Sequence, residues 1–154
     1  MIDASGSAVT FRTRHLFGLA PVRGSFAIRY GTVDVAEPAA ESGAYAEIET
    51  ASFRTGSGPR DRTVRSARFL DAGRHPVMIF RSERIADRVI DGTLTVAGVT
   101  RPVRMTVERV DVSPRSFAVR ATARIDRVEF GVAASRGLAG RYLDVALEVR
   151  CVSA

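Results

Sequence analysis

The residues best suited to chemistry in this sequence are Arg60, Asp61, Arg65 and Ser66, which form its densest polar cluster. Arginine binds phosphate in a forked, two-bond geometry, so the cluster could recognise a phosphate group. The glycine-containing segment before it, residues 55–59, nevertheless lacks the spacing and the lysine of a P-loop. The favoured interpretation is structural, with Asp61 capping a helix and arginine–carboxylate pairs holding that helix against the rest of the fold.

Neither histidine belongs to a recognisable catalytic or metal-binding motif. His15 and His75 lie outside any HExxH pattern, and no Gly-x-Ser-x-Gly elbow is present. Cys151 is the only cysteine, which excludes an internal disulfide and a zinc site built on a cysteine cluster. The sequence therefore predicts a non-catalytic protein with no catalytic residue, metal or cofactor. The first alternative to this interpretation is a small enzyme that acts on a hydrophobic substrate. His15 could form a hydrogen bond with an oxygen of a bound ligand, although such a histidine more often anchors a loop.

The chain is basic, with 23 basic residues, 17 acidic residues and a formal net charge of +6. Every basic residue is arginine, and lysine, asparagine and glutamine are absent, which indicates a codon-composition bias more than a functional device. An anionic headgroup or a negatively charged surface is compatible with this charge. A basic nucleic-acid-binding barrel is the second alternative, but the arginines are not interleaved with the exposed aromatic residues that stacking platforms require. We therefore expect no nucleic-acid partner.

The length and hydropathy of the chain indicate one domain, residues 1–154, large enough to bury one core or enclose one cavity. No stretch approaches the roughly 18 consecutive apolar residues of a membrane-spanning helix. The first residues also lack the basic and apolar regions of a signal peptide. A cytoplasmic location without stable membrane insertion is therefore expected.

Alternation of apolar and polar residues with period two predicts β-strands along most of the chain. The eight predicted strands are Ala8–Arg14, Val22–Val35, Ala44–Phe53, Val77–Arg84, Arg88–Val96, Val99–Val110, Ser116–Ile125 and Tyr142–Cys151. A shift of the alternation after Gly31 predicts a bulge or bend in the second strand. One short helix is predicted at Arg62–Leu70, with Asp61 as its N-cap.

The clearest hairpin of the chain runs from Gly92 to Val103 and reverses at Ala97-Gly98. Gly98 suits a turn closed by a glycine bulge, whereas Ala97 argues against a two-residue turn with positive φ at both positions. Pro102 has no N–H to donate, so it should face an open edge or sit at a bulge. Eight antiparallel strands joined in chain order predict an all-β, closed up-and-down barrel that can hold one small ligand.

The motifs of this chain, in their order and separation, resemble those of the YceI-like family of bacterial polyisoprenoid-binding proteins. The matching residues are Val9-Thr10-Phe11, His15, Gly18, Gly24-Ser25-Phe26, Gly31, Thr55-Gly56, Arg60-Asp61, Arg65-Ser66, Phe69, Asp71, Pro76, Phe80, Ser82, Gly92–Thr95, Gly98–Val103, Arg127 and Phe130-Gly131. The resemblance covers nearly the whole chain and implies an extended lipocalin-like barrel, a bound isoprenoid lipid and a homodimer. The chain departs from the family pattern in having no tryptophan.

For a barrel of this type the expected chemistry is physical capture of a long apolar molecule, such as a polyprenyl phosphate or a quinone, by a non-catalytic carrier. The predicted apolar wall consists of Phe11, Phe26, Ile28, Ile48, Phe69, Phe80, Leu94, Met105 and Val145. A charged headgroup would stay at a polar mouth formed by His15, Arg60, Asp61, Arg65 and Ser66, because burial of an unpaired charge is costly. Micromolar affinity, about −8 kcal/mol, requires on the order of 27 buried ligand atoms, or about five isoprene units.

Overall fold

A computed structural model describes residues 1–15, 20–132 and 140–153 of the chain. In these ranges eight antiparallel strands form a closed barrel in chain order, with β1 pairing to β8, as predicted. The strands are β1 (Ala8–His15), β2 (Ala20–Asp34), β3 (Gly43–Arg54), β4 (Val77–Ala86), β5 (Val89–Val96), β6 (Val99–Ser113), β7 (Ser116–Asp126) and β8 (Tyr142–Val152). One helix, α1 (Gly58–Arg65), follows β3, and short 3-10 turns occupy Ala4–Gly6, Ala39–Glu41 and Arg127–Phe130.

The side chains of each strand alternate between the interior and the outer surface of the barrel. In β1, for example, Val9 and Phe11 are buried, whereas Thr10 and Arg12 are exposed. This alternation follows directly from the period-two pattern of the sequence, because successive side chains of a strand point to opposite faces of the sheet. The buried apolar side chains of all eight strands therefore converge on one interior.

The up-and-down topology gives the barrel two different ends. The end that we call the mouth carries α1, the turn between β5 and β6, and the 3-10 turn that follows β7. The opposite end, the base, carries the N-terminus, the connection from β2 to β3, and the turns that follow β4 and β6. At the base the Ile2 N–H donates to the Gly31 carbonyl (2.8 Å), and the Ile2 side chain is buried. The N-terminal residues thus close the base with an apolar side chain.

The helix lies earlier in the chain than the sequence predicted. It spans Gly58–Arg65, and its N-cap is Ser57, whose hydroxyl accepts from the Arg60 N–H (3.4 Å). The predicted N-cap, Asp61, lies inside the first turn. The sequence Ser-Gly-Pro explains the difference, because serine is a strong N-cap and proline is favoured at the first helical positions.

The turn between β5 and β6 also differs from its prediction. Val96 pairs with Val99, so the loop contains only Ala97 and Gly98, which both have positive φ (49° and 79°). The left-handed conformation of Ala97 is strained, but its side chain packs against the buried core. A Cβ atom at Gly98 would lie 3.0 Å from the His75 ring. Tertiary packing at this position therefore decides the turn type, which local preference did not indicate.

Two local irregularities of the sheet were predicted from glycine and proline. The pairing of β2 with β3 shifts at Ser25/Ala27 and at Ile28/Tyr30, so the predicted change of phase precedes Gly31 rather than following it. Pro102 was predicted to face an open edge or a bulge. It lies in the part of β6 that has no partner on β7, since the pairing of these strands begins only at Thr106↔Thr122. The wall between β6 and β7 is thus unpaired near the mouth.

Thr50 is the one fully buried polar side chain whose oxygen has no hydrogen-bond partner among the described residues. We predict that Thr50→Val raises the free energy of unfolding by about 1 kcal/mol, because it replaces an unsatisfied hydroxyl by a methyl group of similar size. Urea unfolding measures the difference. Thr10→Val is the control, since Thr10 is exposed, and it should change the free energy of unfolding by less than about 0.5 kcal/mol. A loss of stability in Thr50→Val would contradict the prediction.

Candidate functional site

The interior of the barrel contains an elongated cavity of about 550 Å³. It extends from Ile2 and Ile28 near the base to Pro59 and Thr63 of α1 at the mouth. This volume falls within the range of about 300–1,000 Å³ that is typical of small-molecule sites. The side chains of the sheet therefore do not fill the interior themselves.

The structure places all nine residues of the predicted apolar wall around this cavity. They are Phe11, Phe26, Ile28, Ile48, Phe69, Phe80, Leu94, Met105 and Val145. Eight of them lie on strands at inward positions, and Phe69 lies in the segment between α1 and β4. Their location in the wall is thus observed, whereas their contact with a ligand stays a prediction.

An aromatic cluster occupies the wall between β1, β2 and β3. The ring centroids of Phe11 and Phe26 are 5.7 Å apart, and the Phe53 ring lies 5.4 Å from that of Phe11 and 5.5 Å from that of Phe26. The Phe11 ring lies directly against Gly24, where a Cβ atom would overlap it. The small residue thus lets the aromatic cluster lie close to the sheet.

Other cavity residues escaped the sequence-based prediction. Val9, Leu143 and Leu147 line the cavity and belong to inward faces that the alternation already indicated, so the same signal could have identified them. Phe130 and Val132 also line it, but they follow the last residue of β7 in a non-strand segment. No periodic pattern extends to these two residues, so only the structure reveals them.

The predicted polar mouth is only partly brought together. Arg60 lines the cavity, together with Thr13, Thr63 and Arg127, which the prediction did not include. Asp61, Arg65 and Ser66 are absent from the cavity lining, and the side chain of His15 lies outside the described part of the chain. The residues of the cluster are thus close in sequence but do not all face the cavity, because successive residues of a helix point in different directions.

Asp61 is buried and attaches α1 to the end of β3. Its Oδ1 accepts hydrogen bonds from the Thr55 N–H (3.0 Å) and the Thr55 hydroxyl (2.6 Å). Burial raises the pKa of the Asp61 carboxyl, but the Thr55 hydrogen bonds and the charges of Arg65 and Arg60 outweigh it and hold the pKa below 3.8. The carboxylate is therefore charged at neutral pH and satisfied within the fold.

Arg65 belongs to the same attachment, whereas Ser66 caps the end of α1. The Arg65 guanidinium donates to the Phe53 carbonyl through Nε (3.1 Å) and Nη2, so it binds the backbone of β3 and not the predicted carboxylate. The Ser66 hydroxyl donates to the Thr63 carbonyl at the end of α1. Helix α1 is thus held over the mouth by Asp61 and Arg65. The predicted arginine–carboxylate interaction is present as attraction between the charges of Arg65, Arg60 and Asp61, whereas the direct bonds of Asp61 and Arg65 go to Thr55 and Phe53.

Arg127 connects the segments that follow β7. Its guanidinium donates to the carbonyls of Val132 (2.6 Å) and Gly140 (2.7 Å), and its Cζ lies 5.8 Å from the centroid of Phe69. Arg127 thus fixes the backbone of the segments that follow β7, and the expectation that it serves as a structural ion-pair partner stays a prediction. Arg127 also brings a positive charge to the polar end of the cavity.

The described residues contain neither a candidate metal site nor a candidate membrane-spanning helix. No group of three or more histidine, cysteine, aspartate or glutamate side chains in the described ranges could hold a metal ion. Within the same ranges, no helix has the length and hydropathy needed to span a membrane. The cavity is therefore the feature on which a functional interpretation can be built.

Comparison with known proteins gives consistent matches along the chain. The model of the YceI-like domain family matches residues 1–152. Protein YceI of Escherichia coli is 30% identical over 164 residues, which cover 98% of this chain and 85% of the relative. A UPF0312 protein of Vibrio cholerae is 27% identical and covers 99% of this chain and 86% of the relative.

Solved structures share the fold at lower sequence identity. BcnA of Burkholderia cenocepacia matches with a TM-score of 0.83 at 20% identity, covering 99% of this chain and 100% of that chain. A polyisoprenoid binding domain from Saccharophagus degradans, implicated in plant cell wall breakdown, matches with a TM-score of 0.72 at 14% identity. That match covers 99% of this chain and 97% of the neighbour. The barrel fold is thus common to these proteins.

The attachment of α1 predicts a pH-dependent stability. Asp61→Asn should lower the free energy of unfolding at neutral pH by about 2 kcal/mol, because it removes a buried charged acceptor. The folded-state pKa of Asp61 is depressed, so the wild-type advantage is present above pH 3.8 and is lost as the pH falls through the folded pKa. Denaturant unfolding at several pH values measures this convergence.

The control for this experiment is Asp91→Asn. Asp91 pairs with Arg104 on the outer surface (2.7 Å) at 37% side-chain exposure, so its removal should cost less than about 1 kcal/mol. A difference between wild type and Asp61→Asn that stayed constant down to acid pH would contradict the role assigned to Asp61.

Proposed function

The chain belongs to the YceI-like family, and from this premise we propose that it is a non-catalytic carrier of a long apolar isoprenoid-type lipid held inside the barrel. The observation that carries the proposal is the elongated, apolar cavity of about 550 Å³ between base and mouth. The polyisoprenoid binding domain among the structural neighbours adds support from the same fold. The ligand classes that we propose are polyprenyl phosphates and quinones.

The lining of the cavity favours a hydrocarbon chain over water. A buried water needs about three hydrogen-bond partners, and the middle of the cavity offers side chains such as Ile48, Phe80 and Leu94 instead. Transfer of apolar surface from water contributes about 25 cal/mol per Å². A chain of about five isoprene units would therefore supply micromolar affinity without any polar contact.

The two ends of the cavity give the ligand a direction. Ile2 and Val149 line it toward the base, whereas Arg60, Thr63 and Arg127 line it at the mouth. A phosphate or a quinone oxygen would lose its hydration without compensation at the apolar base. We therefore propose that the headgroup lies at the mouth beside Arg60 and that the tail extends toward Ile2. In addition to this proposal, a cytoplasmic location and a homodimer remain predictions from the sequence.

Ala123 and Ala146 lie on neighbouring strands at opposite faces of the wall and provide a matched test. Ala123 lines the cavity, whereas Ala146 pairs with Thr122 at an outward position. We predict that Ala123→Trp abolishes uptake of a polyprenyl phosphate because the indole occupies the space of the chain, and that Ala146→Trp leaves uptake unchanged. Native mass spectrometry measures bound lipid, and circular dichroism checks the fold. Wild-type uptake by Ala123→Trp would refute binding inside the barrel.

Arg60 provides a test of headgroup position. Arg60→Gln should weaken binding of a polyprenyl phosphate by on the order of 10-fold, because it removes a charge-assisted hydrogen bond, and should not change binding of the alcohol of equal chain length. Arg62→Gln is the control, since Arg62 is exposed and absent from the cavity lining. Titration of a fluorescent competitor measures both affinities. Equal effects on phosphate and alcohol would contradict the proposed orientation.

A further inference from the structure

The mouth of the barrel is surrounded by exposed arginines that form no ion pair with a described residue. They are Arg54, Arg62, Arg68, Arg74 and Arg101, and we call them the rim arginines. They lie at the end of β3, in α1 and the segment after it, and at the start of β6. Among the described mouth segments, Asp61 is buried and Asp71 and Asp126 are half-buried, which leaves Glu129 as the exposed carboxylate. The outer surface of the mouth is therefore strongly positive.

The arginines on the barrel wall are in a different electrostatic situation. Arg104 pairs with Asp91, Arg124 pairs with Asp144, and Arg120 lies between Glu108 (3.1 Å) and Glu148 (2.7 Å). Each of these wall charges has a neighbour of opposite sign across the strands. The wall also carries exposed arginines that form no ion pair with a described residue, such as Arg29, but exposed carboxylates such as Glu49 and Glu83 lie on the same wall. Positive and negative charges are thus mixed on the wall, whereas the mouth carries mainly positive ones.

The base carries exposed charges of both signs. Exposed carboxylates lie there at Asp34, Glu37, Glu41, Asp87 and Asp111, alongside exposed arginines such as Arg115. Opposite charges alternate in this region, whereas the mouth carries mainly one sign. The two ends of the barrel therefore differ in charge as well as in the polarity of the cavity that connects them.

We propose that the mouth end docks reversibly on a bilayer surface that contains anionic phospholipids. This inference rests on the proposed lipid-carrier function and names the surface with which the carrier exchanges its ligand. Basic residues near an anionic leaflet are attracted within a Debye length, so several rim arginines together would hold the mouth toward the membrane. The apolar cavity would then open directly onto the lipid phase.

Helix α1 connects this charged rim with the cavity. Pro59 is exposed and also lines the cavity, and Val64 and Thr63 line it from the following turn. Arg62 is exposed on the outer side of the same helix. A hydrocarbon chain leaving the cavity would therefore pass an apolar helix face while the opposite face contacts headgroups. Docking at this end shortens the path that the chain travels through water.

The same surface is a poor match for a nucleic acid. Single-strand binding surfaces combine basic residues with aromatic rings on which bases can stack. The aromatic residues near the rim, among those that the structure describes, are Phe69, which is half-buried under Arg127, Phe130, which is buried, and Tyr142, which is exposed. The Tyr142 ring is already contacted by Arg124 and Arg141, whose Cζ atoms lie 5.5 and 5.3 Å from its centroid, and one such ring does not form a series on which successive bases could stack. The positive charge surrounds the opening of an apolar cavity instead, and a bilayer is the anionic partner that such an opening fits.

The experiment compares two triple variants of equal net charge. The rim variant carries Arg62→Gln, Arg68→Gln and Arg74→Gln, and the control variant carries Arg29→Gln, Arg84→Gln and Arg115→Gln on the wall and the base. All six arginines are exposed and form no ion pair with a described residue. Co-sedimentation is measured with vesicles of phosphatidylcholine alone and of phosphatidylcholine with phosphatidylglycerol.

We expect wild type and the control variant to bind the phosphatidylglycerol vesicles, with affinity falling as salt is raised, and to bind phosphatidylcholine vesicles weakly. The rim variant should lose on the order of 100-fold in partition coefficient, about fivefold for each arginine. No binding by wild type, equal loss in both variants, or equal binding to both vesicle types would overturn docking at the mouth. Tight binding of a single-stranded oligonucleotide without vesicle binding would overturn it in favour of a nucleic-acid surface.

A separate measurement distinguishes failure of docking from failure of the carrier function. Binding of N-phenyl-1-naphthylamine, an uncharged apolar fluorophore, is measured without vesicles in wild type and both variants. The rim variant should bind the fluorophore as wild type does, because its substitutions lie outside the cavity lining. If wild type does not bind the fluorophore, the carrier function is refuted. Vesicle co-sedimentation tests docking separately from this result.

Discussion

The property on which the rest of the structure depends is the size of the side chains that point into a closed sheet. Pairing of β1 with β8 fixes the barrel at eight strands, and such a barrel is either filled by its own side chains or has room for one small ligand. Here Ala46 and Ala123 occupy inward positions, while the Phe11 ring lies against Gly24 and the Phe80 ring against Gly92. Because small residues alternate with rings that lie against the wall, the axis of the barrel stays open.

The same barrel is closed in different ways at its two ends, and this difference gives the cavity its direction. The base is closed by the N-terminal residues, whose backbone pairs with β2 and β8 and whose Ile2 side chain is buried. The mouth is covered by α1, which is held by the buried Asp61 and by Arg65 through bonds to the end of β3. Charged groups that looked like a binding cluster therefore serve mainly to place a helix, and the helix in turn places Arg60 at the opening.

Most of the fold could be predicted from the sequence because period-two alternation reports directly on which side chains face inward. All eight strands and the nine wall residues follow from that signal and from the resemblance that accompanied it. Where a position is decided by tertiary contacts, local preference was insufficient, as the positive φ of Ala97 and the position of the Ile28/Tyr30 shift show. Phe130 and Val132 lie beyond any repeating pattern, and the orientation of Asp61 and Arg65 depends on where α1 begins.

The charge of the chain illustrates how composition and placement carry different information. The codon-composition bias inferred from the sequence would act on residue type and not on position in the fold. In the wall, Arg104, Arg120 and Arg124 face carboxylates on neighbouring strands, and in the base opposite charges are mixed. Around the mouth Arg141 pairs with Asp126, but the rim arginines form no ion pair with a described residue. Arginines that form no ion pair with a described residue occur at both ends, but only at the base do exposed carboxylates accompany them in number. The net positive charge beside the cavity opening is therefore a property of residue placement, which composition alone does not describe.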